Sequence, residues 1–189
     1  MRPTATIDSG DRFRAFSCLS WLPFLAMLLG VTLCGCSKLP APDTILKQYP
    51  ANDLEGVVSL TGVSLDRAIS HDGAGSLRIT AAKPTTSQLY ETGDLGVSGG
   101  RITYQAKMRA EGLEGKAYLE MWCQFSGEGE FFARDLQTPL TGTQEWSTEE
   151  TPFFLKQGEH PTNIKLNVVV EGEGTVWIDD IKLTKSDLQ

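Results

Sequence analysis

The chain has 189 residues, 40% of them hydrophobic and 22% charged, with 19 glycines and 9 prolines spread along it. That is room for one globular domain and a leader, with many turns. The net charge of −7 and the absence of any basic run argue against a nucleic-acid partner, because an acidic chain repels phosphate backbones.

The first element is a leader. Phe16 to Leu33 is almost wholly apolar and follows Arg12 and Arg14, the pattern of a secretory signal. Length leaves an uncleaved membrane span open, since the run sits near the lower limit for one. The run ends in Leu33-Cys34-Gly35-Cys36, which resembles the lipobox of bacterial lipoproteins. The resemblance implies a signal peptide over 1–35, cleavage before Cys36, and acylation of that cysteine. The membrane is then a partner through lipid, and the protein lies in the bacterial cell envelope. More than one acyl chain makes such an anchor stable. Of the four cysteines, the mature chain would keep Cys36 and Cys123, so no intramolecular disulfide is expected. Residues 36–53, with Pro40, Pro42 and Pro50, read as the lipidated cysteine and a tether.

From Leu54 to the end, residues 54–189, the pattern is β. Candidate strands fall at 56–60, 76–81, 87–91, 101–110, 116–125, 130–136, 146–155, 163–170 and 175–184. Glycine-bearing turn signals separate most of them, among them Asp72-Gly73-Ala74-Gly75, Ser98-Gly99-Gly100, Gly127-Glu128-Gly129 and Gly172-Glu173-Gly174. No helical period persists beyond about two turns, so helix should be minor. Short strands at regular spacing predict an all-β sandwich or barrel of about eight to nine antiparallel strands.

Residues 101–125 dominate this pattern. Ile102, Tyr104, Ala106, Met108 and Ala110 alternate with Arg101, Thr103, Gln105, Lys107 and Arg109, and Ala117, Leu119, Met121, Cys123 and Phe125 with Lys116, Tyr118, Glu120, Trp122 and Gln124. Side chains alternate between the faces of a strand, so each stretch has one apolar and one polar face. The short connection Glu111 to Gly115 predicts a hairpin, which would set Gln105, Lys107 and Arg109 across from Tyr118 and Trp122. Cys123, on the apolar face, is expected as a small buried hydrophobe. Asn163, Lys165 and Asn167 would extend the polar face if 163–170 is a neighbour.

Three stretches resemble the galactose-binding-like jelly rolls found in many carbohydrate-binding modules. They are Ser70-His71-Asp72-Gly73-Ala74-Gly75-Ser76-Leu77-Arg78-Ile79, Gly142-Thr143-Gln144-Glu145-Trp146, and Gly174-Thr175-Val176-Trp177-Ile178-Asp179-Asp180-Ile181-Lys182-Leu183. The resemblance spans about residues 54–185 and implies a two-sheet jelly-roll sandwich. It also implies a structural calcium, held by Asp179 or Asp180 with oxygens from the loop around Asp72 to Ser76, and Glu55 as a further candidate.

The chemistry favours binding over catalysis. His71 and His160 have no cysteine or histidine at zinc spacing, and no nucleophile elbow or phosphate-cradling loop is present. Tyr118 and Trp122 lie on one side of one strand among Glu120 and Gln124, with Gln105 and Arg109 expected opposite. Aromatic planes with amide, guanidinium and carboxylate neighbours suit the C–H faces and hydroxyls of a sugar. Alternatively, Phe131, Phe132 or the tether covers those aromatics. The expected function is a lipid-anchored, non-catalytic glycan-binding protein. The alternatives are an interaction subunit docking another envelope protein, and a glycoside hydrolase using Glu120 with Glu128, Glu130 or Asp135.

Overall fold

The structure, a computed structural model, describes residues 42–188. The leader, Cys36 and the first part of the tether lie outside the described residues. Within them the chain forms eight strands and no helix: β1 (Thr44–Tyr49), β2 (Val63–Asp66), β3 (Ser76–Ala81), β4 (Thr85–Glu91), β5 (Gly100–Phe125), β6 (Gly129–Arg134), β7 (Leu140–Leu155) and β8 (Asn163–Ser186). All pairings are antiparallel, in one hydrogen-bonded sheet of order β2-β3-β8-β5-β6, with β1 and β4 also on β8 and β7 on β5.

The expected hairpin at 101–125 does not form. β5 is a single strand of 26 residues, and its neighbour β8 one of 24. Ala110 pairs with Val176 before the Glu111–Gly115 segment and Ala117 with Val170 after it, so the partner number keeps falling and the chain never reverses. The glycines there bend the strand instead of turning it. A Cβ on Gly115 would lie 1.9 Å from the Glu171 carbonyl oxygen, and one on Gly172 would lie 1.6 Å from that of Glu114. Their φ angles, +117° and +147°, belong to backbone that L side chains rarely adopt. An extra residue of β5 sits here, between the Glu111–Thr175 and Glu114–Glu173 pairs. This bulge switches which residues point inward, from the even-numbered Ile102–Ala110 set to the odd-numbered Ala117–Phe125 set.

The bend folds the sheet into a sandwich. A straight strand from Ile102 to Phe125 would span on the order of 75 Å. Yet the Phe125 ring stacks 6.1 Å from that of Phe153, the register partner of Ile102. On the other flank, Tyr49 of β1 stacks 3.9 Å from Tyr90 of β4, although their partners on β8, Ile181 and Leu166, lie in opposite halves of that strand. The first layer holds β1, β2, β3, the C-terminal half of β8, the N-terminal half of β5 and most of β7. The second holds β4, the N-terminal half of β8, the C-terminal half of β5, and β6. Leu77, Ile79, Met108, Leu119, Met121, Ile164, Leu166 and Ile178 are buried in the core. Thr151 Oγ1 donates 2.9 Å to the Leu119 carbonyl, a buried polar stitch between β7 and the second half of β5. Cys123 is free and buried, and burial pushes its thiol up to about 12.

Two further boundaries differ from expectation. Thr44–Tyr49, read as tether, is strand β1 against Lys185 to Ile181 of β8, so the sandwich begins ahead of Leu54. Segment 56–60 is not a strand and β2 takes its place at Val63–Asp66. Gly115→Ala or Gly172→Ala should cost more than about 3 kcal/mol in urea denaturation, because the added methyl meets backbone on strained φ. Gly112→Ala, with nothing within 4 Å of its Cβ, should cost about 1 kcal/mol for its φ of +59°.

Candidate functional site

The outer face of the second layer carries the site. Strand register sets its rows: Gln88, Asn167, Glu120 and Arg134 lie side by side across β4, β8, β5 and β6, and the next row holds Lys165, Trp122 and Phe132. The expected neighbour of the Tyr118–Gln124 face, the 163–170 segment, is therefore in place. Trp122 is half-buried and its ring lies 4.9 Å from that of Phe132, which is 46% exposed. The indole N–H donates to Glu120 Oε1 at 2.7 Å, which fixes the ring plane. Asn167 Nδ2 donates to the same oxygen at 3.1 Å. Glu120 is 7% exposed and Asn167 6% exposed. The carbonyl oxygen of that amide, Asn167 Oδ1, is buried with no hydrogen-bond partner. A buried acceptor without a donor costs about 1–3 kcal/mol.

Around this centre the floor is charged. Lys165 Nζ pairs with Glu130 at 2.6 Å, and the Arg134 guanidinium lies 4.4 Å over the Phe132 ring. Tyr118 is on the same face but closed off. It is 2% exposed, its hydroxyl donates 2.7 Å to Glu171, and Arg134 donates to it at 3.4 Å. Burial raises its pKa, while Glu171, beside it, is held below the usual carboxylate range mainly by that tyrosine hydrogen bond. Gln124 is exposed at the end of the row.

Gln105 and Arg109 are not part of this face. The expectation that they oppose Tyr118 and Trp122 rested on the hairpin, and the in-line bend carries them to the first layer. Gln105 hydrogen-bonds Glu150 of β7. Arg109 lies 4.9 Å over Trp177 and pairs with Glu111 at 3.3 Å and Glu145 at 3.5 Å. Trp177 is only 4% exposed there, with Arg78 on its other side at 5.9 Å and its N–H bound to Asp66 at 2.9 Å. Asp66 is held low chiefly by that bond. This second aromatic face is closed by arginine.

Phe132, like Phe131 and the tether, is an expected cover for Tyr118 and Trp122. As the register partner of Trp122 it lies beside the indole, and β1 sits on the other half of β8, so it does not cover Trp122 either. Phe131 points the other way, 5.8 Å from Phe125. With Phe132, Phe153 and Phe154 these rings line a pocket of about 290 Å³ rimmed by Glu128, Lys156 and Glu159.

The four residues implied for calcium do come together, but with the wrong polarity. Asp179 is fully buried at the bulge of β8. Its Oδ2 accepts the N–H groups of His71 at 2.8 Å and Asp72 at 3.4 Å, and its Oδ1 accepts that of Asp180 at 2.7 Å. Ser76 Oγ donates to the Ile69 carbonyl, Asp72 Oδ1 accepts from Ala74, and Asp180 faces His71 Nδ1 at 3.2 Å. Calcium needs converging oxygens, whereas the loop turns N–H donors toward Asp179. Among the described residues no group of three or more His, Cys, Asp or Glu converges as a metal site. Glu55 lies in an exposed turn capped by Asp53. As arranged, these residues do not fit the ion, and Asp179 anchors the 69–74 loop itself. Burial raises its pKa, partly offset by the three N–H groups. Asp179→Ala should therefore destabilise by at least about 2 kcal/mol in urea, through amides left without an acceptor. A chelator should leave the wild-type melting temperature unchanged, whereas a calcium-dependent rise would contradict the hydrogen-bonded anchor.

No family model matches the chain, and no curated protein does. Solved structures do. The CBM22-1 xylan-binding domain of Paenibacillus barcinonensis Xyn10C superposes with a TM-score of 0.56 at 12% identity, over 79% of this chain and 100% of that one. The CBM22-1–GH10 modules of Clostridium thermocellum endo-1,4-beta-D-xylanase 10B, complexed with xylohexaose, give 0.56 at 12% identity over 76% of this chain and 29% of that one. The CBM22-1–CBM22-2 tandem domain of the Paenibacillus protein gives 0.54 at 9% identity over 80% and 48%. At these identities the likeness is one of fold, and the fold is the β-sandwich of carbohydrate-binding modules.

Proposed function

We propose that this protein is a non-catalytic carbohydrate-binding domain whose ligand lies across Trp122 and Phe132. The observation that carries the reading is the half-buried indole, held by a buried Glu120, next to the unpartnered Asn167 Oδ1. A sugar ring offers C–H faces to the aromatic pair and hydroxyls to the exposed Gln124. A fold does not fix a ligand. The similar modules are named for xylan binding and for a complex with xylohexaose, which makes those the first ligands to test.

The carboxylates are engaged in ways that favour binding over hydrolysis. Glu120 holds Trp122 and Asn167, Glu130 pairs with Lys165, and Asp135 caps the turn at Gln137 and Thr138. The phenylalanine pocket favours a second reading, docking of another envelope protein, since Phe131 and Phe154 are 49% and 61% exposed. On the strength of the lipobox resemblance, the proposal also anchors the domain in the bacterial cell envelope through an acylated Cys36.

Affinity electrophoresis against xylan should retard the wild type, and Trp122→Ala should weaken binding at least about tenfold. Gln105→Ala, on the other layer, should bind as wild type. Wild-type migration unchanged across a panel of envelope and plant polysaccharides would remove the glycan reading. For the anchor, Cys36→Ser should abolish incorporation of labelled palmitate and release the protein from the membrane fraction.

A further inference from the structure

Strand β6 ends the sheet on one side, and among the described residues nothing pairs with its outer edge. Native edges are usually blunted by lysine, proline or a bulge, because unpaired N–H and C=O groups are a template for another strand. β6 has no lysine, proline or bulge, and its two charges, Glu130 and Arg134, are of opposite sign. Its sequence is Gly-Glu-Phe-Phe-Ala-Arg, its register with β5 runs without a shift, and it exposes both Phe131 and Phe132.

This sequence is self-complementary in one antiparallel register. With a two-fold axis through Phe132, that residue faces its own copy, Phe131 faces Ala133, and Glu130 faces Arg134 twice. Cross-strand pairs of opposite charge and of aromatic rings both stabilise. Moving the axis to Phe131 sets Glu130 against Phe132 and loses the charge pairing within the strand. Glu130, Phe132 and Arg134 all lie on the Trp122 face, opposite Gln124, Trp122 and Glu120 in turn.

We propose that the protein forms a symmetric dimer by antiparallel pairing of β6 with β6 of a second copy. The closed isologous contact satisfies both edges at once. It also carries the sheet through the two-fold, so that Trp122, Phe132 and the same two residues of the second copy form one aromatic row across four strands. At about 4.8 Å between strands, that row spans about 14 Å. The continuous row as a ligand surface rests on the glycan reading above, whereas the dimer does not.

Sedimentation equilibrium of the full chain in detergent, without glycan, tests it. The wild type should sediment as a dimer. Glu130→Arg alone and Arg134→Glu alone should each give monomer, and the double swap should restore the dimer. Phe132→Cys, on the axis, should form an interchain disulfide on mild oxidation that Gln124→Cys, one strand inward, does not. Trp122→Ala should lose glycan binding and keep the dimer, so the two claims fail separately. A monomeric wild type at micromolar concentration would overturn the proposal, including the case where the edge serves an extended segment of another protein. Single charge reversals that leave the dimer intact would overturn it too.

Discussion

Between Gly115 and Gly172 two strands pass so closely that neither position can carry a Cβ. The would-be atoms fall 1.9 Å and 1.6 Å from backbone carbonyl oxygens of the facing strand. That approach lets β5 and β8 bend together without breaking their ladder. Every other element depends on it. The bend brings Phe125 to Phe153 and Tyr90 to Tyr49, and it turns one sheet into two layers whose apolar faces meet. The one-residue bulge beside it is equally necessary. Without the switch in alternation, either Ile102–Ala110 or Ala117–Phe125 would face solvent.

The two outer faces each contain a tryptophan, and they are finished differently. Trp177 lies beneath Arg78 and Arg109, with its N–H satisfied by Asp66, and it is nearly inaccessible. Trp122 is satisfied by Glu120 in the same way but is only half-buried, beside Phe132. The difference is what flanks each ring. Arginine stems cover apolar surface while their heads stay wet. Phe132 extends the apolar surface instead. The buried amide oxygen left over on the Trp122 side has no counterpart on the Trp177 side. The proposed ligand face rests on this contrast between the two tryptophans. Asp179 shows the complementary case: its carboxylate is fully used by loop amides, which gives the early loop a fixed seat on β8.

Much of this was legible in the sequence. The period-two alternation of Ile102–Ala110 and Ala117–Phe125 named ten residues that are all buried, and Cys123 among them is an inert core residue. The glycan-facing proposal still turns on Trp122, Glu120 and Gln124, which share one face as their spacing required. What failed was the meaning of Glu111-Gly112-Leu113-Glu114-Gly115. Glycines free the backbone for a reversal and for a bend alike, and only the partner strand decides between them. A hairpin would bring Gln105 and Arg109 to the site, whereas the register puts them on the other layer. Asn167 joins the face only on the condition that 163–170 is a neighbour, and Phe132 reads as a cover rather than a floor residue, since strand adjacency is long-range information.

By itself, then, the sequence determined the all-β class, the inward side of Ile102–Ala110 and Ala117–Phe125, and the burial of Cys123, because these follow from local alternation and turn chemistry. The tertiary structure alone decided that two long strands fold over each other, that Trp177 is buried while Trp122 is only half-buried, and that Asp179 is met by N–H groups rather than by oxygens. Those outcomes depend on which backbone lies 5 Å away across a ladder, and no stretch of the chain carries that about itself.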